Sequence, residues 1–309
     1  MKTIGLIGGA SGQALTEELQ KKGYSVAIVA GKKDEPGMEI AEYVLATDLS
    51  NKAEICLFFQ SHNVEHVLIG TGHILAFQAA EYLEQKGMKL SCNIKASFMA
   101  KDKAKFKEKL NDWEILTPKS VVVDKADSES ISKVAEKVGF PCVVKSCIDK
   151  LYPQKVLDKE GLKTALEEVL ALDSRALCEE FIDGIDTTIA VMSDGSKIEA
   201  CVVNYYSKAM EVKLKGFGAF KQRKLSENGE TALKRCVEQV TKLAEFRGLP
   251  RFDTMVTQED KVYILECNSV GVTGVNKRYQ AYAEQFLLAD GVNYAELLVK
   301  TSLNYWKLL

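Results

Sequence analysis

The sequence predicts an α/β protein with α+β character in its C-terminal half, in which a doubly wound N-terminal module precedes two further packed units. Three observations lead there. At 309 residues the chain exceeds what a single hydrophobic core ordinarily serves. Its first part, about ninety residues, alternates short apolar runs with amphipathic stretches, the pattern of a parallel sheet covered by helices. From Ala176 onward strand follows strand instead, which is how antiparallel sheets are built.

Taken in order, "TIGLIG", "SVAIVA" and "HVLIGTG" read as buried parallel strands, because they are near-continuous apolar runs, and residues 12–22 and 75–86 read as their helices. The glycines of "GLIGGASGQ" lack the GxGxxG spacing, since Ile7 or Ala10 stands where glycine is needed. They read as a tight strand-to-helix turn whose helix N-terminus can meet a substrate anion, and a nicotinamide dehydrogenase would rest on that incomplete pattern alone. A Lys-rich helix, "KDKAKFKEKL", leads to the strand "ILTPKSVVV", a helix over 128–138, the strand "FPCVVKS" and a helix after Asp158. Then come the strands "ALCEEFI", "DTTIAVMSDG" and "KIEACVVNYY", a Lys- and Gly-rich loop, a long helix over 227–247, the strand pair "PRFDTMVTQED" and "KVYILECNS", and two closing helical segments. The expected units are 1–94, 95–182 and 183–309.

Composition excludes several function classes. With 46% hydrophobic and 27% charged residues and a net charge of -2, the chain reads as soluble and globular, without the basic footprint of a nucleic-acid or anionic-membrane binder. The eight cysteines are scattered without a CxxC, as buried thiols of a reducing compartment are. The opening "MKTIGLIGGASG" is too short an apolar run, and too broken by glycine, for a signal peptide or a membrane span. A cytoplasmic location is expected. All three histidines (62, 66, 73) fall in the first module, and no GxSxG elbow is present, so a histidine-centred triad in the C-terminal half is excluded.

The strand pair near the end carries the chemistry. "KVYILECNS" begins as a buried strand and closes on a carboxylate and an amide, where an unpaired buried charge would be costly. If the preceding turn is even-numbered and centred on Glu259 and Asp260, Gln258 faces Lys261, Asp253 faces Glu266 and Arg251 faces Asn268. Opposed carboxylates repel, so a cation belongs between them. Asp253, Glu266 and the Asn268 amide oxygen form a hard-oxygen set suited to Mg2+ or Mn2+ that shares its other positions with water and phosphate. Cys267, one step out of phase, belongs to the core. The alternative is that Arg251 pairs with Asp253 and the rest is a solvated sheet edge.

These segments, in their order and spacing, resemble the ATP-grasp superfamily. The stretch from "GLPRFDTMV" to "LECNSVGVTG" is most similar to its D-alanine:D-alanine ligase and amino-acid ligase branch. The resemblance runs from about Lys101 to the end of the chain, with the first module similar to the small domain that usually precedes an ATP-grasp fold. It implies a two-part ATP-grasp fold and ATP with Mg2+ (or Mn2+) as cofactors. Asp253, Glu266 and Asn268 would hold the metal ions that bridge the phosphates, and Arg251 would stabilise the negative oxygen of the reacting acyl group. Lys103 in "KDK" and Lys145 ending "FPCVVK" would reach the phosphates. In "CEEFIDGID", Glu179 would contact the adenine amine region, the backbone at Glu180 and Ile182 would pair with the ring edge, and Asp186 would replace the usual glutamate on the ribose hydroxyls. From the residues alone, Lys145 is a cation ending a buried strand, whereas the alternate lysines of 101–109 read as a solvated helix face.

One departure stands out. Family members usually follow the second lysine with a Gly- and Ser-rich loop over the phosphates, but this chain reads "KSCIDKLYPQKVLDKEGL", without glycine until Gly161. Lys150 and Lys155, or the later "KLKGFGAF" loop with Lys213 and Lys215, are the candidates to cover the site. The implied activity is an ATP-dependent carboxylate-amine (or thiol) ligase acting through an acylphosphate, with small-molecule carboxylate and amine substrates and a homodimer as the candidate assembly. The alternative is a nucleotide-binding sensor or assembly module without turnover. Specificity would sit in the loops 8–12 and 70–73 and around 270–279, where Thr273, Asn276, Lys277 and Arg278 are polar.

Overall fold

The first sheet holds β1 (Thr3–Ile7), β2 (Ser25–Ala30), β3 (Tyr43–Ala46), β4 (His66–Ile69) and β5 (Lys89–Leu90) in a computed structural model that describes residues 1–148, 151, 153–205, 224–271 and 293–309. Its order, β3-β2-β1-β4-β5, is all parallel and doubly wound. Helices α1 (Gly12–Lys21), α2 (Lys52–Ser61) and α3 (Ile74–Gln85) cross over between strands. The strand order reverses between β1 and β4, so the loops that follow these two strands frame a crevice. Strand β3 and helix α2 escape the sequence pattern, because Tyr43 and Val44 on the edge strand and Leu57 on the helix are exposed apolar residues.

Two four-stranded antiparallel sheets follow. The second contains β6 (Ser120–Val123), β7 (Cys142–Ser146), β8 (Gln154–Val156) and β9 (Ala176–Glu180) in the order β6-β9-β7-β8. One face packs Val121, Cys142, Val144 and Cys178 onto Val134 of α6 (Ser128–Lys137) and Leu162, Leu166 and Val169 of α7 (Lys159–Leu170). The third contains β10 (Ile185–Ser193), β11 (Ile198–Tyr205), β12 (Arg251–Val256) and β13 (Val262–Asn268) in the order β11-β10-β12-β13. Its core face buries Ile189, Phe252, Val256, Val262 and Ile264 against α8 (Glu227–Leu243). The same cluster takes Ala96 and Ala100 of α4 (Ile94–Lys101) and Phe106 and Leu110 of α5 (Lys103–Asp112). Helix α9 (Tyr294–Tyr305) turns back to the first module, where Leu298 and Val299 join Ile4, Leu15 and Leu19. The other closing helical segment expected from the sequence lies outside the described residues, and no described helix is long and apolar enough to cross a membrane.

His66 marks the junction of α9 with the first sheet. Its side chain is 3% exposed, and its ring lies 5.1 Å from that of Trp306. Burial, with repulsion from Lys2 and Lys89, pushes its pKa down to about 4 against the attraction of Glu65. The fold therefore holds a neutral imidazole. Below pH 6.5 the unfolded chain takes up a proton that the folded chain refuses, so this stabilisation is complete above that pH and is lost as pH falls toward about 4. At about 1.4 kcal/mol per pKa unit the loss approaches ~3 kcal/mol. Denaturant unfolding of wild type and His66→Phe between pH 7 and pH 4 is expected to show the wild type losing roughly that much more than the variant; parallel curves would refute it.

Candidate active site

Strand alternation gathers the candidate ligands on one face of the third sheet. On β12, Phe252, Thr254 and Val256 point to the core, so Arg251 and Asp253 point the other way. β10 pairs Thr188 with Asp253 and Asp186 with Met255, which puts Thr188 and Asp186 on that same side. The Thr188 hydroxyl donates to Asp253 Oδ1 at 2.5 Å.

The hairpin of β12 and β13 reaches the expected pairs by a different route. The Thr257 amide donates to the Lys261 carbonyl at 3.0 Å, so the loop has three residues, with Asp260 at φ 60° in the left-handed region, rather than the two expected. That loop sets Val256 opposite Val262 and Thr254 opposite Ile264. Continued without a break, this register would turn Glu266 onto the core face. A β-bulge between Asp253 and Thr254 leaves Leu265 over, and beyond it Asp253 faces Glu266, Phe252 faces Cys267 and Arg251 faces Asn268. Cys267 stays in the core, while Glu266 and Asn268 join Asp253 on the opposite face. The edge of β13 is held by Leu116, whose carbonyl accepts from the Ile264 amide, and by Thr117, whose hydroxyl donates to the Ile264 carbonyl.

The cations come from α5 and the second sheet. Asp102 caps α5, accepting from the Lys105 amide, and pairs with Arg175 at 2.8 Å; the Lys103 amide donates to the Cys147 carbonyl just past β7. Anchored there, α5 aims Lys103 at Glu266, 3.2 Å away. In the second sheet Val143 faces Glu179 and Leu177 faces Lys145, so Glu179 and Lys145 share the face opposite the α6 and α7 core. Both Glu179 oxygens are taken by lysines, Oε2 by Lys145 at 2.5 Å and Oε1 by Lys107 at 2.6 Å.

These charges act on one another across the two sheets. Burial would raise Glu266, but Lys103 and Lys145 hold its pKa at about 2. Burial would likewise depress Lys145, and Glu179 and Glu266 more than offset it, so its ammonium is held above the usual lysine value. Burial and then the neighbouring Asp253 carboxylate push Asp186 well above the usual carboxylate range. Arg251 lies 3.8 Å from Asp253, but Asp253 is 9% exposed, so the pair is not a solvated sheet edge. Among the described residues no three His, Cys, Asp or Glu side chains cluster as a self-sufficient metal cage. Two opposed carboxylates and an amide instead suit Mg2+, which keeps positions for water and phosphate.

Other expected site residues are placed as follows. Glu180 accepts from the Lys119 amide through Oε2, its own amide donates to the Lys119 carbonyl, and Ile182 is buried in the turn between β9 and β10. Lys155 sits 3.7 Å over the Phe181 ring, just past β9, rather than beside Lys103 and Lys145. Lys150, Lys213, Lys215, Thr273, Asn276, Lys277 and Arg278 lie outside the described residues. Next to the hairpin, a small hollow of about 20 Å³, open to solvent, is lined by Gly72, Phe77, Ser97, Lys101, Glu266 and Asn268. It brings the loop after β4 to the end of β13. Sequence reasoning missed Lys107 and Thr188. The lysines of this helix were expected on a solvated face, but the buried residues of α5 are Lys103, Ala104, Phe106, Lys107 and Leu110, so Lys103 and Lys107 lie at i and i+4 in the buried stripe.

Comparison with known proteins adds the following. The family model for the D-ala D-ala ligase C-terminus matches residues 108–301. A D-alanine--D-alanine ligase of Polaromonas sp. is 28% identical over 226 residues, which cover 67% of this chain and 64% of that protein, just short of two thirds of its length. One of Haemophilus ducreyi is 26% identical over 269 residues, covering 84% of this chain and 81% of that protein. Among solved structures, D-alanine--D-alanine ligase from Bacillus anthracis complexed with ATP is similar with a TM-score of 0.71 at 20% identity, covering 99% of each chain. N5-carboxyaminoimidazole ribonucleotide synthetase from Thermotoga maritima is similar with a TM-score of 0.76 at 18% identity, covering 98% of this chain and 76% of that one.

Proposed function

The chain belongs to the D-ala D-ala ligase C-terminus family and has the ATP-grasp fold, and from that premise we propose that it is an ATP- and Mg2+-dependent ligase joining a small amino-acid-like carboxylate to an amine or thiol through an acylphosphate. The observation that carries this reading is the pairing of Asp253 with Glu266 on one buried face, with Lys103 and Lys145 both acting on Glu266. Such a site has a use for a polyanion with its metal.

In this reading Asp253, Glu266 and Asn268 hold Mg2+ or Mn2+, which neutralises charge on the phosphates when bound. Lys103 and Lys145 bind the phosphate chain. Glu179, the main chain at Glu180 and Ile182, and Asp186 receive the nucleoside. Arg251 stabilises the acyl oxygen. Phosphoryl transfer of this kind needs positioning and charge neutralisation rather than a protein nucleophile, and these residues supply both. The carboxylate substrate would approach from the solvent-open side beside Glu266 and Asn268. Residues 1–94, 95–182 and 183–309 are proposed as the N-terminal module and the two ATP-grasp parts, in a cytoplasmic protein that pairs as a homodimer.

The test is release of ADP and phosphate from Mg-ATP across a panel of amino acids and hydroxy acids. Release that depends on one acid, and rises further when an amine acceptor is added, is the expected result. ATP binding with no acid-dependent release would instead leave a nucleotide-binding sensor or assembly module.

A further inference from the structure

Resting on that nucleotide-site reading, we propose that Lys107 is a positioning residue that keeps the Lys107–Glu179–Lys145 cluster net positive, so that Lys145 stays attractive to a phosphate chain although Glu179 already touches it. A buried carboxylate 2.5 Å from a buried lysine is, taken as a pair, neutral and closed. Such a pair has little attraction left for an anion. Here the carboxylate is shared: Glu179 bridges two ammonium groups through separate oxygens, so three side chains carry one surplus positive charge. Glu266, whose charge also reaches Lys107, is itself paired with Lys103.

Lys107 cannot take the ligand itself. Its side chain is 2% exposed, against 8% for Lys145, and its ammonium also donates to Thr117 Oγ1 at 2.7 Å. Thr117 in turn donates to the Ile264 carbonyl, so Lys107 is braced on the strand that carries Glu266 while it holds the carboxylate of the facing sheet. Its surplus charge is costly: burial pulls its pKa down to about 8. A residue kept only to join α5 to the sheets would not need that charge, since a methionine would fill the same buried stripe. The cost is offset when a polyanion arrives at Lys145.

The experiment titrates wild type, Lys107→Met and Lys107→Met/Glu179→Gln with Mg-ATP, with inorganic tripolyphosphate plus Mg2+, and with adenosine, alongside thermal unfolding. Lys107→Met is expected to bind tripolyphosphate and Mg-ATP at least about tenfold more weakly, with adenosine affinity unchanged within about twofold, and to lose some stability as well, because Glu179 Oε1 and Thr117 Oγ1 lose their donor. In the double variant, removal of the carboxylate returns a net positive charge to Lys145, and most of the tripolyphosphate affinity recovers. A purely structural Lys107 would lower stability while the folded variant bound tripolyphosphate as wild type does, with adenosine and tripolyphosphate affinities moving together. The proposal is overturned if Lys107→Met binds tripolyphosphate as wild type does, or if the folded double variant is no better than the single one. Should Lys107→Met not fold, Lys107→Gln makes the same comparison. If wild type binds neither Mg-ATP nor tripolyphosphate, the nucleotide reading itself falls, a result distinct from wild-type binding that the Lys107 variants leave unchanged.

Discussion

Asp253→Asn combined with Glu266→Gln is expected to weaken Mg-ATP binding by about two orders of magnitude and to cut turnover by at least about a thousandfold, as befits loss of the charge that binds a phosphate-bridging cation. The amides keep shape and hydrogen-bonding capacity while removing both negative charges from a face where Lys103 and Lys145 already concentrate positive charge. In the wild type Glu266 is held at about 2, so it is an anion at any working pH and needs no proton loss to receive a cation. The substitution also strips Lys103 of its charged partner, and some loss of stability follows from leaving a nearly buried ammonium with a neutral amide. Calorimetric titration with ATP in the presence and absence of Mg2+ separates the two effects. The wild type should bind far more tightly with the ion than without it, and the variant should lose that difference. A variant that retains it would mean that the opposed carboxylates are not the metal site.

How much of this could be read beforehand depended on whether local patterning decided the matter. The parallel module, the switch to consecutive strands and the hairpin followed from apolar periodicity, because each strand there has one buried face or two. The pairs Asp253–Glu266 and Arg251–Asn268 were also legible, although the turn was misjudged and the bulge unforeseen, and the two errors cancelled. The sequence did hold the clue. Val262 and Ile264 are in phase with each other, whereas Cys267 is out of phase with both, so a strand that buries all three must slip by one residue between them. Glu179 shows the opposite case. Its partners Lys107 and Lys145 are 72 and 34 residues away in the chain; the pairing of β7 with β9 brings Lys145, and only the docking of α5 against the second sheet brings Lys107. The exposed edge strand β3 was missed for a third reason: with Tyr43 and Val44 facing solvent, it lacks the buried face on which strand patterning depends.

Arg251→Met should separate binding from chemistry. Arg251 lies opposite Asn268, two residues before Asp253 and on the same face, at the end of the hairpin nearest the cavity between the first module and β13. From there a guanidinium can donate to an oxygen that gains charge as the acyl group reacts, and removing one such donor typically costs about 10²–10³ in kcat. On the proposed assignment the nucleotide contacts belong to other residues, so the affinity for Mg-ATP should stay within about threefold of wild type while kcat falls by that factor. Arg251→Lys should recover only part of the loss, because an ammonium restores the charge but not the planar fork. Arg251 also lies 3.8 Å from Asp253, so a rival account makes it a support for the metal ligand rather than a partner of the substrate. On that account Arg251→Met would weaken Mg-ATP binding and turnover together, in proportion, and Arg251→Lys would rescue both. Mg-ATP titration beside single-turnover phosphate release at saturating Mg-ATP decides between them, since a slowed step with affinity unchanged belongs to the reacting acyl oxygen and one accompanied by weakened Mg-ATP binding belongs to the metal site.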